Sequence, residues 1–180
     1  MSSHLIPPLG DGDHILGPAD APVSLVEYGD YECPYCGMAY PVVASILERM
    51  RDSIRFAYRH FPLTQLHPHA QHAAEMAEAA GSRGKFWPMH DMLFRNQNAL
   101  EDEDLISYAA QLRIPPDWAA HALATHTFVS RVREHFMSGV RSGVNGTPTF
   151  FINGVRHDGP WDEPTLFEAL QAAALAGSRR

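Results

Sequence analysis

Cys33 and Cys36 are the only cysteines in a chain of 180 residues, and just two residues, Pro34 and Tyr35, separate them. As a structural staple the pair is worth little, because closing a four-residue loop stabilises by at most about 2 kcal/mol before strain is subtracted. Disulfide exchange makes better use of the spacing. It needs one sulfur that is a thiolate near neutral pH and a second close enough to expel the bound partner. Cys33 is expected to attack and Cys36 to resolve, with Pro34 stiffening the first turn of a helix, where its missing N–H costs nothing. The other reading of the pair is half of a zinc site, whose remaining two ligands would have to be histidines. Two further features belong to the same chemistry. Glu27, six residues before Cys33, sits in an apolar stretch where an ionised carboxylate is costly to bury, so it can hold or release a proton as exchange proceeds. The segment from Val144 to Phe150 puts Pro148 at the mouth of a strand, where a cis bond keeps the turn tight and leaves the backbone of Thr147 free to pair with an extended substrate.

These residues must be held by elements that the pattern also predicts. Residues 23–28 read as a strand apolar on both faces, and residues 33–51 as a helix kinked at Pro41. Residues 54–61 form a second strand, ended by Pro62. Cys33 then lies where a strand gives way to a helix, facing unpaired N–H groups and the positive end of the helix dipole, both of which favour the thiolate. The acidic neighbours Asp30 and Glu32 oppose that effect. From Thr64 to about Ser142 the periodicity is helical throughout, with breaks at Gly81, Gly84 and Ile114-Pro115-Pro116. Strands follow at 149–152 and 155–157 around an Asn153-Gly154 turn, and a last helix is capped by Asp162 with Pro164 in its first turn. The order is βαβ, helical block, ββα. The expected fold is α/β, a thioredoxin fold with an inserted all-helical subdomain: residues 1–63 and 143–180 form the thioredoxin-like domain and 64–142 the insert.

Glu27, Cys33-Pro34-Tyr35-Cys36, Pro41 and Gly146-Thr147-Pro148-Thr149 together resemble the DsbA-like thiol:disulfide oxidoreductases of the thioredoxin superfamily. Arg59-His60-Phe61-Pro62-Leu63 and Gly84-Lys85-Phe86-Trp87 resemble the soluble bacterial branch of that family. The threonine-proline pair, with Pro148 placed 115 residues after Cys33, makes the likeness far more specific than a lone CxxC. The resemblance implies that Thr147 and Pro148 flank the dithiol and contact substrate, alongside Pro34 and Tyr35. It implies a disulfide oxidoreductase acting on cysteine-containing proteins or peptides, with a redox partner that is glutathione, a thioredoxin-type protein or another donor or acceptor, and no cofactor beyond the Cys33–Cys36 pair. The strongest oxidants of the family carry a histidine between the cysteines. Tyr35 lacks that charge, so the reduced form is expected to be less favoured and the potential to fall between about −120 and −230 mV. Two alternatives use the same fold: a glutathione-dependent isomerase or transferase of the kappa class, against which the intact dithiol argues, and a non-catalytic, chaperone-like binding module.

Composition narrows the partners. With 14 basic and 21 acidic residues the net charge is −7, leaving no basic field for nucleic acid or anionic lipid. The longest uncharged run, Cys33 to Leu47, holds 15 residues and two prolines, too short and interrupted for a membrane span. The first charges are the acidic Asp11 and Asp13, so no export leader is read and the expected compartment is the cytoplasm; a chain trimmed of its leader would read the same and belong to the periplasm. His67, His69 and His72 are read as a solvated helix start rather than as metal ligands, and no metal site is expected.

Overall fold

The computed structural model describes residues 3–177. Five strands, β1 (Ile15–Leu16), β2 (Val23–Gly29), β3 (Ile54–His60), β4 (Thr149–Ile152) and β5 (Val155–His157), form one mixed sheet in the order β1-β3-β2-β4-β5. β2 takes the central place because its side chains are apolar on both faces: every residue except Ser24 is buried. β4 pairs antiparallel with β2, setting Phe150 opposite Glu27 and Thr149 opposite Tyr28. Asn153 and Gly154 both adopt positive φ, at 47° and 78°, as a two-residue hairpin between β4 and β5 requires. The two-residue edge strand β1, antiparallel to β3, was not legible in the sequence, because two residues carry no period.

Seven helices complete the order: α1 (Pro34–Arg49), α2 (Ala70–Gly81), α3 (Phe86–Arg95), α4 (Asp102–Gln111), α5 (Pro116–Ala124), α6 (Val129–Arg141) and α7 (Glu163–Gly177). This is the βαβ and ββα arrangement of a thioredoxin-like fold, with the helical block between its halves. The chain divides into two compact units. The sheet unit takes the chain through Gly29, Met38–Arg59 and the chain from Ser138 on; the helical unit takes Asp30–Gly37 and His60–Met137. The outer ends of the domain bounds read from the sequence, residues 1, 2 and 178–180, lie outside the described residues.

In the sheet unit, Leu166 and Leu170 bury one face of α7, and α7 packs on β2. Asp162 caps this helix by accepting the Thr165 N–H at 3.1 Å. Glu163 accepts from Ser45 Oγ and Arg49 Nη1, both at 2.8 Å, which fastens the end of α1 to the start of α7. A second tie holds the chain before β1. Arg59, buried on β3, grips Asp13 through Nε at 2.7 Å and Nη2 at 2.9 Å, and donates to the carbonyls of Pro7 and Pro8 and to the Tyr28 hydroxyl. In the helical unit, α2 is the central element and packs against α3, α4 and α5. Its alanines make this possible: Ala70, Ala73, Ala74, Ala77, Ala79 and Ala80 are all buried, and their small side chains let neighbours approach.

Candidate active site

The turn from Asp30 to Gly37 presents the dithiol. Cys33 lies immediately before α1: its N–H donates to Asp30 O at 3.1 Å, and its carbonyl accepts the Gly37 N–H at 3.1 Å, the first turn of helical hydrogen bonding. Its sulfur therefore stands at the positive end of α1, among the backbone donors that have no partner inside the helix. The two cysteines are not joined in a disulfide; Cys33 is 3% exposed and Cys36 fully enclosed. The Asp30 N–H points at Cys36 Sγ, 3.5 Å away. Between them Pro34 and Tyr35 face outward, with Tyr35 63% exposed.

Asp30 organises this turn. Its carboxylate is buried, and it accepts the N–H groups of Glu32 and Leu63, each at 2.8 Å, and His67 Nδ1 at 2.7 Å. Glu32 is occupied as well, accepting the His69 N–H at 2.7 Å at the start of α2. The two carboxylates that looked set against a thiolate are thus bound by backbone donors and an imidazole. His67 is the cation of the group. Partial burial pushes its pKa down, but the hydrogen bond and charge of Asp30, joined by the negative fields of Cys33 and Glu32, outweigh burial and hold it above the ordinary histidine value. His67 is a fixed partner of Asp30 rather than the solvated cap that its His-rich surroundings suggested, with 17% of its side chain exposed.

Gln97, just beyond α3, supplies a second anchor. Its Nε2 donates to Tyr31 O at 2.8 Å and to Cys33 O at 3.0 Å, so one carboxamide clamps both carbonyls of the turn. Gly37 is needed beside it, since a Cβ there would fall onto the Gln97 carboxamide. Tyr31 roots the turn from its other side: its ring is buried against Phe94 and His90, and its hydroxyl meets His90 Nδ1 at 3.0 Å. Burial, with the charge of His60 adding to it, drives His90 down to about 3, so it remains neutral.

The structure places the remaining residues singled out from the sequence in the sheet unit. Glu27 is buried at the centre of β2. Thr147 and Pro148 are half-buried and lead directly into β4, and the peptide bond between them is cis, as is Ile6–Pro7. Thr149 Oγ1 donates to Gly146 O at 2.7 Å, closing the turn before the strand. Sequence reasoning missed His67 and Gln97 as members of the site. Their only signal was their residue type, because His67 meets the dithiol turn through a contact 37 residues away in the chain and Gln97 through contacts 64 and 66 residues away.

A strand, a tight turn and a helix that starts just after the first cysteine of a CxxC pair make up the arrangement of a thioredoxin-type protein. The chain belongs to the thioredoxin family, whose model matches residues 10–172. Its fold is that of the DsbA-like proteins. BdbD from Bacillus subtilis in its oxidised form superposes with a TM-score of 0.87, covering 97% of this chain and 98% of that one at 23% identity. α-DsbA1 from Wolbachia pipientis gives 0.81 over 98% of both chains at 18% identity. Among curated proteins, the chain is 47% identical over 178 residues to a protein of Salinispora arenicola named Na(+)/H(+) antiporter NhaA 1, covering 97% of this chain and 26% of that protein. A Mycobacterium protein of the same name is 41% identical over 162 residues, covering 89% of this chain and 26% of that protein. The chain spans about a quarter of the length of these relatives. Among the described residues no helix is long and apolar enough to cross a membrane.

Proposed function

We propose that this chain is a thiol–disulfide oxidoreductase, exchanging the Cys33–Cys36 dithiol or disulfide with cysteines of proteins or peptides. The observation that carries the reading is the dithiol turn itself: Cys33 at the start of α1, Cys36 enclosed one turn later, and the Asp30–His67 pair alongside. In the reducing direction the Cys33 thiolate attacks a substrate disulfide, forming one sulfur–sulfur bond and releasing the substrate's other sulfur as thiolate. The Cys36 thiol then gives up its proton and attacks Cys33 Sγ. The substrate leaves with two thiols, and the protein retains the two electrons' worth of oxidation as its own disulfide. The oxidising direction is the same sequence reversed. Helix-terminal donors and the His67 cation favour Cys33 as the thiolate. By the resemblance, Glu27 takes and returns the proton of the resolving thiol, and Thr147, Pro148, Pro34 and Tyr35 contact substrate. No cofactor is needed, because the two sulfurs carry the electrons. A glutathione- or thioredoxin-type partner restores the starting state. Ion antiport, the activity named for the longer relatives, is not proposed for this chain, which offers no membrane-crossing helix among its described residues.

The test is insulin reduction and peptide oxidation by purified protein. Cys33→Ser should be inert in both, and Cys36→Ser should accumulate mixed disulfides with substrate. Full activity in Cys33→Ser overturns the proposal. Equilibration with glutathione buffers sets the direction: a potential near about −120 mV marks an oxidant, and one below about −230 mV a reductant.

A further inference from the structure

Away from the dithiol, the helical unit brings two imidazoles and a buried carboxylate to one point. His72 and Glu75 stand three residues apart on α2 and so share a face. His126, in the connection between α5 and α6, reaches the same face, and one ligand atom from each of the three lies within 4.8 Å of the other two. We infer that His72, Glu75 and His126 form a binding site for a divalent transition-metal ion, zinc(II) being the ion their donor set fits.

The argument starts from the carboxylate. Glu75 is 1% exposed, and burying a carboxylate is costly unless its oxygens are compensated. Oε1 has Gln71 Nε2 at 3.0 Å and His126 Nδ1 at 3.2 Å, while Oε2 is buried with no hydrogen-bond partner. A cation at the cluster supplies what that oxygen lacks. The imidazoles are arranged to suit. His72 Nδ1 is held by Asp102 Oδ1 at 2.5 Å, at the first residue of α4, which leaves Nε2 as its ligating atom. A carboxylate behind a ligating histidine fixes the ring and raises its basicity, as in carboxylate–histidine–zinc triads. His126 adopts φ 49°, a conformation that non-glycine residues rarely take, and this turns its ring toward Glu75. The rings of His72 and His126 lie 5.3 Å apart and are tilted rather than stacked.

Ligand atoms around a tetrahedral zinc are separated by roughly 3.3 Å, given bond lengths of about 2.0–2.1 Å. Closing from within 4.8 Å needs only side-chain rotation. Both histidines are accessible, with 31% and 53% of their side chains exposed, so an ion can enter and water can fill the fourth position. Two nitrogens and an oxygen, without thiolate, select zinc(II) and its neighbours over calcium or magnesium. The second such cluster, His60, Glu78 and His135, differs in kind: Arg131 Nε stands 3.8 Å from Glu78 Oε2, so that carboxylate already has its cation. An ion held by His72, Glu75 and His126 would tie α2 to the α5–α6 connection, with Asp102 adding the start of α4.

The test uses untagged full-length protein, stripped with chelator and oxidised to the Cys33–Cys36 disulfide so that the thiols cannot bind metal. Titration with zinc(II) against a chromogenic chelator should give one ion per chain. His72→Ala and His126→Ala should each weaken binding at least tenfold, Glu75→Gln similarly, and Asp102→Asn about tenfold through loss of ring orientation. His157→Ala, in the sheet unit, should leave affinity unchanged. Cobalt(II) in the wild-type protein should show the intense visible bands of a four-coordinate N/O site, a readout independent of any variant's folding. No zinc retained by the oxidised protein, unchanged affinity in both histidine variants, or a cobalt spectrum equal to that of the aqueous ion would each overturn the inference.

Discussion

Replacing His67 with glutamine should shift the redox balance of the dithiol. Glutamine keeps a donor for Asp30 Oδ2, now met by His67 Nδ1 at 2.7 Å, but removes the positive charge. His67 and Cys33 are coupled electrostatically; a neighbouring opposite charge moves a pKa by about 1–3 units, and Asp30, bound to the same imidazole, cancels part of the field, so the effect on the Cys33 thiol is taken at the lower bound, a rise of about 1 unit. One unit is about 1.4 kcal/mol of differential stabilisation. The thiolate exists only in the reduced protein, so losing that stabilisation lowers the potential by about 30 mV and shifts the equilibrium with glutathione about tenfold toward the disulfide. The effect has a pH limit whose direction follows from His67. Its pKa in the folded protein is raised, so its charge and the stability it contributes are complete below the ordinary histidine value and disappear as pH rises through the folded value. Wild type and His67→Gln should therefore converge in alkaline buffer. Thiolate absorbance near the ultraviolet edge followed against pH, together with glutathione equilibration, measures both quantities. His67→Lys, which restores a charge, should recover part of the loss. If the Cys33 titration and the potential are unchanged in a well-folded His67→Gln, the imidazole has no part in poising the dithiol.

Three other perturbations probe the scaffold. His90 takes up no proton until about pH 3 in the folded protein, whereas the unfolded chain protonates near 6.5 and so binds more protons between those values; stability should fall by about 1.4 kcal/mol per pH unit there, or about 2.7 kcal/mol by pH 4.5. Denaturant melts at pH 7 and 4.5 should show that slope and show it flattened in His90→Gln; equal slopes in the two proteins would contradict it. Asp13→Asn strands the buried Arg59 guanidinium, at a cost of about 3 kcal/mol, which calorimetry should read as a loss of roughly 6–12 °C in Tm; a loss under 2 °C would mean the pair is not a tie. Gly37→Ala should dislodge Gln97 from the carbonyls of Tyr31 and Cys33, so Gly37→Ala and Gln97→Ala should each destabilise by about 1–2 kcal/mol and the double variant by no more than the larger; full additivity would show that they act separately.

The elements were legible because each is long enough to carry a period. β2 and β3 read as apolar runs and end within one residue of their predicted bounds, the two strands around Asn153-Gly154 fall at the residues predicted, and α1 starts one residue later and ends two residues earlier than predicted. β1 escaped notice because its two residues have no pattern of their own and exist as a strand only by pairing with Phe56 and Ala57. The cysteines, with the helix that begins beside them, were visible because CxxC chemistry is local. His67 was not, for the opposite reason. Three histidines in a row of six residues look alike in the sequence, and what separates them is their distant carboxylates: Asp30 for His67, Asp102 for His72, while His69 offers only its backbone N–H to Glu32. Pairing across 30 or more residues leaves no trace in spacing or composition.

The division of the chain explains why the chemistry around the dithiol was hidden. Covalently, the turn from Asp30 to Gly37 continues β2 and opens α1, and both elements belong mainly to the sheet unit. By contact it belongs to the helical unit. Tyr31 enters an aromatic cluster with His90 and Phe94, Asp30 binds Leu63 and His67, Glu32 binds His69, and Gln97 holds the carbonyl of Cys33 itself. Every one of these partners lies in 60–137. The helical block therefore does more than enlarge a thioredoxin-like fold. It supplies the groups that fix the dithiol backbone and, in His67, a cation whose field couples to Cys33, so loosening that block should change the potential as well as the stability. A substitution deep in it, such as Phe94→Ala beneath Tyr31, removes a ring at 4.9 Å from the turn's anchor without touching either cysteine. It should cost about 3–5 kcal/mol as a buried aromatic truncation. If the dithiol is set by the helical block, the same variant, measured at a temperature where it remains folded, will show a shifted potential as well; if the turn is set by β2 and α1 alone, the potential will stay at the wild-type value while the stability falls.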